Sequence, residues 1–281
     1  MTVTLQQMTP TNIAIADAIL MAAYSSESFQ EELTHVLALQ PDGWFIASLD
    51  GEPGGVGGVV NYGPFAYIGL VGVLPELQRR GIGRVLMEHL LAWLSDQQCP
   101  IALLEASQAG APLYTRLGFQ AEDSTIVFQL AEPVSPAPCS IVIEPLQSVD
   151  LAELIALDTA QFGADRSRVL SSYLAMYPER CFVSRHAQGH ISGYIMGQSD
   201  AFGPWLAQSH EEAEALLAHA LRLDFRHPPR LRIPVSNHRA VALARAYGFR
   251  ELRTVKHMRW GGAASPQRRE NIYALASLAI G

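Results

Sequence analysis

No stretch of the 281-residue chain holds the roughly 20 consecutive apolar residues that a bilayer-spanning helix requires. The opening MTVTLQQMTP has neither the basic nor the apolar part of a signal peptide. A cytoplasmic protein with no membrane partner is expected. Cysteine is scarce: Cys99, Cys139 and Cys181 are odd in number and far apart, which excludes a disulfide framework or a paired-cysteine metal site and leaves ordinary reduced thiols. The histidines, His89 among them, lack metal-ligand spacing, so no metal is expected. Lysine is missing from the first 132 residues, where 14 Asp and Glu face four Arg, a net charge of −10. The remainder holds 13 acidic and 16 basic residues, and the whole chain comes to −7. An acidic half of this kind lacks the broad basic surface on which duplex binding rests, which argues against nucleic acid as a partner. Low-complexity tracts are absent too, and 49% apolar against 17% charged residues describes a globular chain.

What positive charge the first half has is concentrated. Three of its four arginines, Arg79, Arg80 and Arg84, sit in LPELQRRGIGRVLMEHLLAWL (residues 74–94), with Arg116 elsewhere. The spacing predicts a helix from about Gly81, with Ile82, Leu86, Leu90 and Trp93 on one apolar stripe. A strand that turns into a helix through a glycine loop aims unpaired N–H groups at one point, where the helix dipole adds about half a positive charge. Gly81 and Gly83 allow close approach, and the arginines supply countercharge. The chemistry wants a phosphate or pyrophosphate, the plain alternative being a solvated charged face. GxxxxGK[ST] and GxGxxG are both absent, so neither a Walker nor a Rossmann phosphate loop is present.

The length suits two domains. The proline-rich QLAEPVSPAPCS (129–140) reads as a linker, placing domains at 1–132 and 141–281 with the linker at 133–140. Either side of it the chain repeats itself: FIASLDGEPGGVGG parallels FVSRHAQGHISGYIMG, and LYTRLGF parallels LARAYGF, at offsets of 138 and 130 residues. This is a duplicated domain, not a solenoid. Within each copy the order reads helix, strand pair, strand, helix, strand, helix, strand, a mixed α/β layer. DGWFIASLDGEPGGVGGVVNYG gives two strands, FAYIGLVGVLP a third stopped by Pro75, IALLEAS a fourth, and APLYTRLGF a helix closed by Gly118.

VGVLPELQRRGIGRVL resembles the pyrophosphate loop of the GNAT superfamily of N-acetyltransferases: a strand ending in Val73, then Pro75, then Gln78, Gly81 and Gly83 at a helix start. LLEASQAGAPLYTRLGF follows at the expected distance and is similar to the family's second signature through Leu113, Tyr114, Gly118 and Phe119. The second half, from IPVSNHRAVALARAYGFREL to IYALASLAIG, resembles the C-terminal GNAT-like domain of a tandem-domain group of acetyltransferases.

The resemblance implies acetyl-CoA as co-substrate, in a V-shaped opening between the third and fourth long strands. Pantetheine would pair with Val71, Gly72 and Val73, and pyrophosphate would sit on Arg79, Arg80, Gly81, Ile82, Gly83 and Arg84. The alternative for Arg79 and Arg80 is that they stay in solvent. Ser107 stands where many members carry Asn. Tyr114 matches the residue that protonates or hydrogen-bonds the departing thiolate, the bland alternative being a packing tyrosine. Glu105 matches a catalytic Glu of some members and, near-buried, would have a raised pKa; a structural strand-end carboxylate is the other reading. Tyr67 replaces a Glu found elsewhere and, with Tyr24 on the segment preceding the first strand pair, is expected to border the acceptor. Cys99 reads as buried filler, and His89 as structural.

The second copy has no glycine between Gly203 and Gly248, opens its helix with the capping box SHEE, and carries Ala244 in place of the tyrosine. It is expected not to transfer acetyl groups. The function expected is acetyl transfer to the primary amine of a small molecule by direct attack, in a monomer or homodimer, with a non-catalytic acyl-CoA-binding protein as the rival.

Overall fold

The computed structural model describes residues 2–132, 141–262 and 264–281. The expected linker, and Cys139 within it, lie outside the described residues. The chain forms two compact units, Met1–Gln120 with Met258–Ala263 and Ile280, and Ala121–His257 with Ala264–Ala279 and Gly281.

The first unit opens with β1 (Val3–Gln7), α1 (Ile13–Tyr24) and α2 (Gln30–Leu39), and continues with β2 (Trp44–Leu49), β3 (Glu52–Asn61) and β4 (Ala66–Val73). Next come α3 (Ile82–Asp96), β5 (Ala102–Ala106) and α4 (Ala111–Arg116). The strands lie in the order β1-β2-β3-β4-β5, antiparallel except for β4 and β5. Asp50 and Gly51, both at positive φ (51° and 95°), make the tight turn between β2 and β3. Helix α3 buries Ile82, Leu86, Met87, Leu90 and Leu94 on the sheet, so the stripe ends at Leu94, one more step of four, with Trp93 half-buried beside it. Pro75 stops β4 as the sequence indicates.

The second unit takes β6 (Gln120–Leu130), then repeats the order with β7 (Ile143–Pro145), α5 (Leu151–Phe162), α6 (Ser167–Met176), β8 (Cys181–Arg185), β9 (Ile191–Gly197) and β10 (Phe202–Ala207). It continues through α7 (His210–Ala220), β11 (Arg230–Pro234), α8 (His238–Ala246) and β12 (Phe249–Trp260) to β13 (Ile272–Ala274). The last residues of β12, from Met258, belong to the first unit. One layer runs β13-β10-β9-β8-β7, and β6 pairs antiparallel with β11. The repeat noticed in sequence has a packing cause. A Cβ on Gly55 would lie 2.6 Å from Ile82 Cγ2, and one on Gly193 would lie 3.0 Å from Leu216 Cδ1, so in both copies a glycine lets the helix after the third long strand settle on the sheet.

At the second unit's centre Arg166, 2% exposed, donates to both oxygens of Asp158 (2.8 and 2.7 Å), which also accepts from the Tyr194 hydroxyl. The capping box at α7 forms as read: Glu212 N–H donates to Ser209 Oγ (3.1 Å), and Ser209 N–H donates to Glu212 Oε2 (3.0 Å). Ser209→Ala should therefore cost about 1 kcal/mol of stability, read as a lowered denaturant midpoint at unchanged m-value.

Candidate active site

In the first unit β4 and β5 pair in parallel only at Ala66↔Ala102 and Tyr67↔Leu103. Beyond those residues β4 keeps its β3 partner but has no pairing with β5, so the sheet splits there. A bulge helps to open it. Gly58 faces Gly69 and Val56 faces Gly72, which leaves Gly57 opposite both Leu70 and Val71, with Leu70 in the left-handed region (φ 52°). The Leu74 N–H donates to Gly54 O (2.9 Å), so by antiparallel alternation Val73 turns its own N–H and carbonyl away from β3, toward the split. Two side chains reach carbonyls of this stretch: Gln78 Nε2 donates to Val73 O (3.2 Å) and the Tyr24 hydroxyl donates to Val71 O (2.9 Å).

The split leads to the start of α3. Arg79 (φ 61°) and Gly81 (φ 89°) both adopt left-handed conformations, a turn of the kind that gathers backbone N–H groups around an anion. The first helical bond runs from Val85 N–H to Gly81 O (3.0 Å), so the N–H groups of Ile82, Gly83 and Arg84 have no acceptor inside the helix. Gly83 is where three elements meet: a Cβ there would lie 3.4 Å from Leu113 Cδ2 of α4 and 3.6 Å from Val73 Cγ2 of β4. Arg79 and Arg80 are exposed. Arg84, also exposed, is held by Glu88 one turn on (2.7 Å), an alternative to the phosphate role expected of it.

Helix α4, whose Leu113 closes on Gly83, carries Tyr114. Ser107 starts it, its carbonyl and Oγ both accepting from Gly110 N–H (3.1 Å each). Gly110 leaves a seat for the phenol, since a Cβ there would approach Tyr114 Cε2 to 3.0 Å, and Phe119 packs at 5.9 Å between ring centroids. Tyr114 is 8% exposed, and burial pushes its hydroxyl up to about 12.

Ala102, Leu104 and Ala106 of β5 and Ala66 and Ile68 of β4 face the core under α3. Strand alternation puts Glu105, Leu103 and Tyr67 together on the opposite face of the sheet. Glu105 is half-buried with its Oε2 enclosed. Tyr67 is fully enclosed, its ring edge-on to Phe65 at 6.2 Å. The sequence reading passed over His35, which lies on α2 in the segment expected to wall the acceptor. Burial, against an opposing effect of Glu31, lowers it to about 4 and keeps the imidazole neutral. Only its place on the apolar side of a short amphipathic stretch could have flagged it. His89 packs edge-on to Phe45 at 4.3 Å, and Cys99 is buried, its thiol donating to Ile101 O (3.5 Å). Among the described residues no group of His, Cys, Asp and Glu is arranged to hold a metal, and no helix is long and apolar enough to cross a membrane.

The geometry is matched by kinship. Residues 13–119 match the model of the acetyltransferase (GNAT) family, and residues 154–274 match a second model, an acetyltransferase (GNAT) domain. The uncharacterized N-acetyltransferase YitH of Bacillus subtilis (strain 168) is 31% identical over 183 residues, which span 63% of this chain and 63% of the relative. A crystal structure of a candidate acetyltransferase from Pyrococcus horikoshii superposes with a TM-score of 0.85 at 27% identity, covering 99% of this chain and 96% of that one. A GCN5-related N-acetyltransferase from Sphaerobacter thermophilus shares the fold, with a TM-score of 0.72 at 15% identity over 94% of this chain and 98% of that one. With both halves matched by GNAT models and nearly the whole length matched by a solved acetyltransferase structure, the chain belongs to the GNAT family of N-acetyltransferases and carries the family's domain twice.

Proposed function

We propose that the first copy transfers an acetyl group from acetyl-CoA to the primary amine of a small molecule by direct attack, in the cytoplasm, as a monomer or homodimer. The proposed catalytic domain is 1–132, with 141–281 as its degenerate counterpart. The observation that carries the reading is the run from the open edge of β4 to the bare N–H groups of Ile82 to Arg84, joined where Gly83 meets Val73 and Leu113, the neighbour of Tyr114 on α4. Val71 to Val73 hold an extended amide chain, the glycine turn holds its pyrophosphate, and Tyr114 meets the sulfur. Thiol release from acetyl-CoA against a panel of amines tests it. Amine-dependent release supports transfer, whereas binding without release under every amine favours a non-catalytic acyl-CoA-binding protein.

An alkylamine of pKa near 10.4 costs about 4.6 kcal/mol to present neutral at pH 7, so a proton acceptor is needed on the acceptor side. Glu105 is our choice, with Tyr67 as the wall behind it and Tyr24 at the rim. Glu105→Gln should lower kcat/KM for the amine by at least about 10-fold at pH 7 and recover as pH rises and the amine deprotonates unaided. A loss equal at pH 7 and pH 9.5 would assign Glu105 to structure.

A further inference from the structure

The second unit keeps the split sheet but fills it. Its β10 and β11 stand where β4 and β5 stand in the first unit, each pair joined by a single helix, α7 or α3. One parallel bridge, Ala201↔Arg230, joins the residue before β10 to the start of β11, where β4 and β5 share two paired positions. Beyond the bridge lies β13. It runs antiparallel to β10 through Trp205↔Ala274 and Leu206↔Ile272. On its other side the Leu275 N–H donates to Arg232 O of β11 (2.9 Å), Arg232 Nη1 donates to Ala276 O (3.3 Å), and Asn237 Nδ2 donates to Ile272 O (3.1 Å).

We infer that the second split is a strand-binding site whose ligand is an extended peptide supplied by the chain itself, Ile272–Ala274, in the position an acyl-CoA arm would take in the first. Three features make it a built site. Gly203, at φ 138°, is shaped to the occupant: a Cβ there would stand 2.1 Å from Leu275 O, so only glycine lets β13 come this close. At the closed end of the split Gln198 Nε2 joins host and guest, donating to Gly203 O (2.6 Å) and Ala276 O (2.7 Å). The approach of the segment is fixed by Arg269, 6% exposed, whose Nε donates to Asp123 Oδ2 (2.9 Å) and Nη2 to Thr125 Oγ1 (2.7 Å), while Ser236 Oγ donates to the same Asp123 oxygen (2.8 Å).

The peptide pairs along β10 as a strand added to a sheet edge does. Ile272, Tyr273, Ala274, Leu275 and Ala276 are all at most 4% exposed, and Tyr273 lies 4.9 Å from Trp205 between ring centroids. The neighbouring helix start completes the preference, since Glu211 and Glu212 in the first turn of α7 oppose an anion. Shape and charge thus select a neutral peptide over a nucleotide-bearing one.

Hydrogen exchange on the intact chain tests this, and its first arm does not depend on acetyl-CoA being a substrate. In the ligand-free protein the amides of residues 272–276 should exchange on the order of 10³-fold slower than in an unstructured peptide of the same sequence. Exchange at the unstructured rate overturns the inference. Saturating acetyl-CoA should leave those rates unchanged, and their release by acetyl-CoA overturns it as well. Gly203→Ala should speed exchange at 272–276 at least about 10-fold while leaving residues 82–96 protected. A folded variant with unaltered exchange at 272–276 counts against the site, and the wild-type arms decide the matter if the variant does not fold.

Discussion

Tyr114→Phe should lower kcat by about 10²-fold or more and leave acetyl-CoA affinity nearly unchanged, because the hydroxyl acts on charge that develops at the leaving sulfur only as the bond breaks. A phenol at about 12 facing a thiol of pKa about 8.5 would give up its proton uphill by about 5 kcal/mol. For an ordinary phenol of pKa about 10 the gap would be near 2 kcal/mol. Under the proposed mechanism, burial therefore favours hydrogen-bond donation toward developing S⁻ over proton delivery. The pH profile carries the same signature. A donor works while protonated, and with its pKa raised Tyr114 stays protonated throughout the alkaline range, so no fall in kcat assignable to it is expected between pH 8 and about 10.5. Steady-state kinetics on the two proteins, with a pre-steady-state burst to show whether chemistry limits turnover, decides the point. An unchanged kcat with chemistry rate-limiting would remove Tyr114 from the mechanism.

Gly83→Val should abolish measurable acetyl-CoA binding, a loss of at least about 100-fold, in a protein that still folds. The protein itself has room for the first added carbon, whose neighbours Leu113 and Val73 would stand at ordinary contact distance. The added bulk falls instead on the helix start where the unpaired N–H groups of Ile82 to Arg84 gather. Gly83→Ala is the graded companion. It should be as stable as the parent or up to about 1 kcal/mol more so, since alanine favours the helix, and should bind acetyl-CoA more weakly. Calorimetric titration beside thermal unfolding separates the two effects. Undiminished affinity in the folded valine variant would show that the phosphate loop lies elsewhere.

Much of this architecture was legible because it rests on local signals. The Gly81 turn, the α3 stripe, Pro75 ending β4 and Gly118 closing the Tyr114 helix are each written within a few residues, and each stands where the pattern puts it but for the last step of the stripe, which falls on Leu94 and not Trp93. Strand β13 was not legible: three residues, Ile272–Ala274, carry no period that separates a strand from a loop, and what fixes them is Gly203, Arg232 and Asn237, some 35 to 70 positions away. The burial of Tyr67 was likewise hidden, since a strand tyrosine reads the same whether its face meets solvent or a helix. For Glu105 the sequence supplied a position and the fold supplied a face, opposite the α3 core and beside Tyr67.

The assignment of Met258–Ala263 to the first unit has a consequence for the order in which the molecule is made. Met258 is buried in the core that holds Leu86, Leu90 and Tyr114, and Trp260 covers the Gly118 turn. A ribosome adding ~20 residues per second releases residue 120 about 7 s before residue 258, so the first unit waits that long with its core unfinished, and closing so long a loop slows the step further. The unit that carries Tyr114 is thus the earlier to be started, yet it cannot be sealed until most of the second unit has been synthesised. A fragment ending at residue 132 would expose the apolar surface that Met258 and Trp260 cover, and should aggregate more readily than the full-length chain, in which β12 covers it.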